Sequence, residues 1–138
     1  MTDPELIAKK LGQIETCLRE LETLARLDRI RQDVREQRFV EHTLQLAIQA
    51  ALDVASHIVS DERLGEPRTN RELFDLLERS GWVSPDLAGT LRRMVGFRNV
   101  LVHGYDTVDL DVVEDVMRNR LADLRTFVAV IRWRLPDG

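Results

Sequence analysis

Residues Met94 to Tyr105 read M-V-G-F-R-N-V-L-V-H-G-Y, and they place an arginine inside an otherwise apolar helical face. At about 100° per residue, Arg98 falls near the middle of a stripe of apolar side chains. The members of that stripe are Leu87, Leu91, Met94, Val95, Leu101 and Val102. A charge held in an apolar contact without a partner costs several kcal/mol. We therefore expect an anionic group beside Arg98, which is a carboxylate of this chain, a carboxylate of a partner chain or a phosphate.

His103 lies five positions after Arg98, which corresponds to about 140° on an ideal helix. The two side chains can converge only if the helix ends between them. We expect Gly104 to end it, because glycine accepts the left-handed conformation of a helix C-terminal cap. This interpretation places Arg98 on the last turns of the helix, His103 at its tip and Tyr105 just beyond.

Apolar residues recur at helical spacing through the rest of the chain, and no strand pattern interrupts them. Capping residues predict where the helices begin: Thr2 with Glu5, Asp33, Thr69 with Glu72, and Ser84 followed by Pro85. The second helix is expected to end near Ser60, and the last one to run from a cluster of acids to Leu135. Those acids are Asp106, Asp109 and Asp111. The sequence thus predicts an all-α fold, an antiparallel bundle of four to five helices in a single domain over residues 1–138.

Composition excludes several classes of protein. The net charge of −4 over 138 residues provides no overall basic field for nucleic acid, so any RNA contact must be local. The single cysteine, Cys17, excludes an internal disulfide and a multi-cysteine metal site. We expect no metal and no cofactor. No apolar run approaches the ~20 residues that span a bilayer, and the N-terminus lacks the apolar core of a signal peptide, so we expect a cytoplasmic protein.

Asp53 and His57 lie four positions apart on the predicted second helix, so their side chains share a face. They form either an ordinary hydrogen-bonded pair or part of the site. In the second case Asp53 is the carboxylate that meets Arg98, or the pair borders the same cleft.

The residues at the end of the central stretch suit RNA cleavage without a metal ion. A histidine, with an ordinary pKa near ~6.5, can take the proton from a ribose 2′-hydroxyl. An arginine can stabilise the charge that develops on the attacked phosphate. The catalytic candidates are Arg98 and His103, and the product would be a 2′,3′-cyclic phosphate. Asn99 points about 100° away from Arg98, so it is either a solvent-facing residue or a supporting residue of the site.

The same stretch resembles the HepT-like toxins of the HEPN superfamily, whose motif is arginine, four residues, histidine, one residue and tyrosine. Arg98, His103 and Tyr105 fill that motif within G-F-R-N-V-L-V-H-G-Y. The segments E-H-T-L-Q-L-A-I-Q-A-A-L-D-V-A-S-H-I-V and E-L-F-D-L-L also look like the family's middle helices. The resemblance extends from about Val40 to Ile131.

The resemblance implies a HEPN-like bundle that forms a two-fold homodimer, with the motif lining the groove between protomers. It implies an endoribonuclease toxin whose partner is a minimal nucleotidyltransferase antitoxin that uses ATP to adenylylate Tyr105. A phosphate-bearing tyrosine beside the histidine would block the cleft by bulk and by charge. The acids near the motif disfavour RNA there, unless Arg92 and Arg93 line its path.

Two other functions remain open. The chain could be a non-catalytic nucleotide-binding or docking subunit of a nucleotidyltransferase complex, in which Arg98 only holds phosphate. It could also be a helical dimer without chemistry, in which Arg98 is paired with an internal acid and His103 is buried far from any groove.

Overall fold

A computed structural model describes residues 3–104 and 108–135, and the chain forms six α-helices within them. They are α1 (Pro4–Leu24), α2 (Val34–Asp61), α3 (Asn70–Arg79), α4 (Pro85–His103), α5 (Leu110–Asp115) and α6 (Leu121–Arg134). A short 3-10 turn, Leu27–Arg29, lies between α1 and α2. The described part of the chain contains no strand.

The last helical region is not the uninterrupted α-helix that the sequence predicted. A π-helical segment, Val116–Arg120, joins α5 to α6, so the two form one interrupted rod. Counted in this way, the bundle has five helical rods, which confirms the predicted all-α fold of four to five helices. The interruption shifts the register of the side chains that follow it, because a π turn adds one residue to the helical repeat.

The predicted helix starts agree with the structure at three of four positions. The side chains of Asp33, Thr69 and Ser84 accept hydrogen bonds from backbone N–H groups in the first turns of α2, α3 and α4. The exception is α1, whose N-cap is Asp3, with its carboxylate accepting from the N–H groups of Glu5 and Leu6. Thr2 lies outside the described residues.

Two long-range ion pairs show that α6 is antiparallel to α1. Arg132 lies 2.5 Å from Glu15, and Arg125 pairs with Glu22, so α6 runs against α1 in the opposite direction. Helix α2 packs against α1, α3 and α4 and is the central element of the bundle.

Close packing of apolar side chains fills the space between the helices. Phe74 of α3 and Phe127 of α6 meet edge to face, with their ring centroids 6.1 Å apart. Fully buried side chains come from every long helix, and the largest are Phe74, Phe127, Ile7, Leu11, Ile14, Leu18, Leu21, Ile30, Leu44, Ile58, Leu77 and Leu91. This core fixes α4 against α2, and so positions the residues at the end of α4.

Candidate active site

Helix α4 carries both catalytic candidates. It begins at the Ser84 cap and continues without a break through His103, and the N–H of Gly104 closes it by donating to the carbonyl of Val100 at 2.7 Å. Gly104 has φ −122° and ψ 47°, so the expected left-handed cap is wrong. Gly104 does end the helix, with His103 at its tip as expected, but because α4 continues through His103 it does not end between Arg98 and His103.

Because α4 is helical from Arg98 to His103, the two side chains leave it in directions about 140° apart. Arg98 is half-buried on the face that packs against α2, whereas His103 is exposed in the last turn. The structure therefore does not bring the two side chains of one chain together. Tyr105, the third residue of the motif, lies outside the described residues.

The partner of Arg98 is a neutral side chain of α2. Its Nη2 donates to Oε1 of Gln49 at 2.6 Å, and its Nη1 donates to Oδ1 of Asn99 at 3.3 Å. Within residues 3–104 and 108–135, no carboxylate lies at ion-pair distance from Arg98. Its Nε atom is buried and has no hydrogen-bond partner in that part of the chain. The sequence predicted one of three anions beside Arg98: a carboxylate of this chain, a carboxylate of a partner chain or a phosphate. The described residues place no carboxylate of this chain there.

Asp53 does not meet Arg98 directly, which corrects one of the two interpretations given to it. Its Oδ2 lies 3.2 Å from Nζ of Lys10, and its Oδ1 accepts from Nε2 of Gln49 at 3.0 Å. His57 is not one of these partners, so the ordinary Asp53–His57 hydrogen bond is also absent. Gln49 instead links Asp53 to Arg98.

Gln49 was not among the site residues predicted from the sequence. A signal for it exists, because Gln49, Asp53 and His57 recur every four residues and form a polar stripe within the mostly apolar second half of α2. The contact with Arg98 joins residues 49 positions apart and depends on how α2 and α4 pack.

The two arginines expected to line the RNA path differ in availability. Arg92 is bound to two acids of α3, with its Nη1 2.8 Å from Asp75 and 3.0 Å from Glu78. These acids raise the pKa of Arg92, with the hydrogen bond to Glu78 as the largest cause. Arg93 is exposed and has a single long hydrogen bond, 3.4 Å, to the hydroxyl of Thr90. Arg93 is thus the more available of the two, and the role of both arginines stays a prediction.

A groove of about 510 Å³ opens between the first turns of α2 and the end of α4. Arg38, His42 and Gln45 line it from α2, and Leu101 lines it from α4. Glu41 also borders it; burial raises the pKa of this carboxyl, while Arg38, at 3.4 Å, acts in the opposite direction. Leu101, two residues before His103, therefore borders a depression that is otherwise lined by α2.

The arrangement of ligand-type residues gives no metal centre in the part of the chain that is described. No group of three or more His, Cys, Asp or Glu side chains is placed there to hold a metal ion.

None of the helices within the described residues is both long and apolar enough to cross a membrane.

Comparison with known proteins identifies the family. A profile of the ribonuclease HepT-like family matches residues 14–131, which is most of the chain. The chain belongs to the ribonuclease HepT-like family. This match confirms the family that the motif predicted. It begins at residue 14, earlier than the segment from about Val40 to Ile131 over which the resemblance was found.

Two ribonucleases and one solved structure are similar to this chain over most of its length. The mRNA nuclease HepT of Shewanella oneidensis is 32% identical over 129 residues, covering 93% of this chain and 97% of that protein. The tRNA nuclease HepT of Aphanizomenon flos-aquae is 34% identical over 110 residues, covering 78% of this chain and 74% of that protein. A solved structure of the tri-AMPylated Shewanella oneidensis HEPN toxin in complex with MNT antitoxin has a TM-score of 0.88, is 32% identical, and covers 97% of this chain and 100% of that one. The predictions of a HEPN fold and of a ribonuclease family are confirmed.

Proposed function

We propose that this protein is the endoribonuclease toxin of a HepT/MNT-type toxin-antitoxin pair, and that it cleaves RNA without a metal ion. The observation that carries the proposal is Arg98: a guanidinium on the inner face of a helix, held by neutral Gln49 and Asn99, without a carboxylate of the described residues beside it. A positive charge placed in this way attracts an anion from outside the chain, and a phosphate is the anion that RNA offers.

The chemistry follows from the two side chains of the motif. The neutral imidazole of His103 accepts the proton of a ribose 2′-hydroxyl, and the 2′-oxygen attacks the adjacent phosphorus. Arg98 stabilises the negative charge that grows on the phosphate oxygens. The bond from phosphorus to the 5′-oxygen breaks, and that oxygen takes a proton from an imidazolium. The products are a 2′,3′-cyclic phosphate and a 5′-hydroxyl.

A two-fold homodimer supplies what a single chain lacks. In one chain the two catalytic side chains diverge by about 140°, and one imidazole cannot readily act as base and acid in one turnover. Two copies related by a two-fold axis can bring both Arg98 and both His103 side chains into one cleft, where one imidazole acts as the base and the other as the acid. On the α2 side, Leu46 is 47% exposed and lies one turn from Gln49, and a contact between protomers at this face would cover it.

Regulation by the antitoxin follows from the similarity to the AMPylated Shewanella toxin. We propose that a minimal nucleotidyltransferase uses ATP to adenylylate Tyr105. The tyrosine is two residues from His103 in sequence, so the added phosphate would place negative charge where the RNA phosphate has to bind.

The proposal is tested with purified protein and RNA in the presence of a chelator. The wild-type protein is expected to cleave, and His103→Ala to lose cleavage while keeping the helical circular dichroism and melting temperature of the wild type. His42→Ala is the matched control, because it removes an exposed histidine outside the motif. Full cleavage by His103→Ala would remove the general-base role, and loss of wild-type cleavage on chelation would remove metal independence.

The alternative, a non-catalytic nucleotide-binding subunit, makes a different prediction. It requires that the protein bind ATP or AMP through Arg98 while leaving RNA intact. Calorimetry with ATP and the same RNA assay distinguish the two functions.

A further inference from the structure

A chain of polar contacts leads away from Arg98 and crosses three helices. Arg98 of α4 donates to Gln49 of α2 at 2.6 Å, and Gln49 donates to Asp53 at 3.0 Å. Asp53 then pairs with Lys10 of α1 at 3.2 Å. We infer that Gln49, oriented by Asp53 and Lys10, is a positioning residue that holds Arg98 for the RNA phosphate without neutralising its charge.

The partners of Gln49 permit only one orientation of its amide. A guanidinium only donates hydrogen bonds, so the group facing Arg98 has to be the amide oxygen. A carboxylate only accepts, so the group facing Asp53 has to be the amide nitrogen. Asp53 therefore prevents the amide from turning, and Gln49 always presents an acceptor to Arg98.

The neutrality of Gln49 matters for the proposed reaction. A carboxylate at this position would form an ion pair with Arg98 and would compete with the phosphate for it. The chain instead places its acid one step away, at Asp53, and balances that acid with Lys10. The side chains of Lys10 and Asp53 are 26% and 34% exposed, so water screens this pair only in part. The positive charge of Arg98 is left without a counter-charge in this cluster.

Arg98 also keeps donors for a ligand. Each of its two Nη nitrogens carries two N–H groups, and each uses one, toward Gln49 and Asn99. With respect to the described residues, one N–H on each nitrogen thus remains for phosphate oxygens. Gln49 fixes the plane of the guanidinium, which determines where these donors point.

The inference rests on the proposed ribonuclease function, and Gln49→Glu tests it with a change of charge and almost none of shape. We expect kcat for RNA to fall about 10- to 100-fold, because the introduced carboxylate pairs with Arg98. At low pH the introduced carboxyl becomes neutral and again offers a carbonyl oxygen to Arg98 and an O–H to Asp53. The ratio of variant to wild-type kcat should therefore rise as the pH falls. Gln32→Glu, an exposed change of the same charge in the turn before α2, is the control and should leave the ratio constant.

A second measurement does not depend on activity. The Nε–Hε group of Arg98, assigned in NMR spectra by its loss in Arg98→Lys, should have a high heteronuclear NOE in the wild-type protein. In Gln49→Ala and in Asp53→Asn that NOE should fall, because the guanidinium loses its fixed acceptor. An unchanged NOE in both variants would overturn the inference.

The outcomes separate the inference from the function on which it rests. If the wild-type protein cleaves RNA and Arg98→Ala does not, while Gln49→Glu cleaves like the wild type at every pH, then only the positioning role of Gln49 fails. If the wild-type protein does not cleave RNA, the proposed function fails, and the NOE of Arg98 alone decides the role of Gln49.

Discussion

The Nη2 atom of Arg98 lies 2.6 Å from the Oε1 atom of Gln49, and this contact joins the helix of the HepT-like motif to the central helix of the bundle. It gives Arg98 a neutral acceptor at the place where the sequence predicted an anion. An arginine that is held but not neutralised is suited to bind a phosphate. The predictions below depend on that property.

Two substitutions of Arg98 distinguish the contribution of its charge from that of its planar geometry. Arg98→Ala is expected to lower kcat for RNA by about 10²- to 10³-fold, the usual effect of removing one group that stabilises a developing negative charge. Arg98→Lys should recover little of this loss, because an ammonium cannot bind Gln49 and a phosphate through a fixed planar fork. Single-turnover cleavage rates measure both effects, and a lysine variant as active as the wild type would contradict the role of the fork.

Tyr105 is predicted to be the target of the antitoxin and to be dispensable for cleavage. Tyr105→Phe should cleave RNA at about the wild-type rate. After incubation with the cognate nucleotidyltransferase and ATP, the wild-type protein should gain mass in adenylate units and lose activity. The phenylalanine variant should show neither change in mass spectrometry or in the cleavage assay. Inactivation of Tyr105→Phe by the antitoxin and ATP would place the modification elsewhere.

Mixing two inactive variants tests whether the site is shared between protomers. Arg98→Ala and His103→Ala homodimers are each expected to be inactive. After the two are unfolded and refolded together, heterodimers should regain part of the activity, because their shared cleft keeps one Arg98 and one His103 from different chains, whereas the cleft of each homodimer lacks one of the two residues altogether. Co-refolded wild-type protein provides the reference rate. A mixture that stays inactive while wild-type protein recovers would indicate that each chain forms its own site.

Glu41 is predicted to reduce stability as the pH rises. Burial raises the pKa of its carboxyl in the folded state, so the folded protein holds this proton more tightly than the unfolded chain does. Stability should therefore fall as the pH rises from the ordinary pKa of a glutamate to the raised one. Glu41→Gln should remove this contribution, and a gain of about 1 kcal/mol at neutral pH would raise Tm by roughly 2–4 °C. Melting curves of both proteins over a pH series measure the difference, which should shrink at acid pH; an equal difference at every pH would contradict the assignment.

The sequence was sufficient for the parts of the fold that local chemistry determines. Asp33, Thr69 and Ser84 cap their helices because a short polar side chain can reach the free N–H groups of its own first turn. The apolar stripe of α4 was also predictable, because the helical repeat alone places Leu91, Met94 and Val95 on one face.

The arrangement of the site could be predicted only in part. The motif identifies Arg98 and His103 from spacing, but the contact of Arg98 with Gln49 depends on the packing of α4 against α2. Asp53 was chosen as a direct partner because it is an acid on the facing helix, yet Lys10 of a third helix pairs with it. Glycine at position 104 suggested a left-handed cap, whereas the α4 hydrogen bonds continue through His103. Long-range packing decided the partners of Arg98 and Asp53.

The central claim is that Arg98 and His103 carry out metal-independent RNA cleavage through a ribose 2′-hydroxyl, and the chemistry of the cut ends tests it most directly. A short RNA of defined sequence is incubated with the chelated wild-type protein, and the products are analysed by mass spectrometry. The same RNA with a single 2′-deoxy substitution at the cleaved position serves as the control. The account predicts a 2′,3′-cyclic phosphate and a 5′-hydroxyl from the RNA, and no cleavage at the substituted position. A 5′-phosphate product, or equal cleavage of the deoxy-substituted RNA, would contradict it.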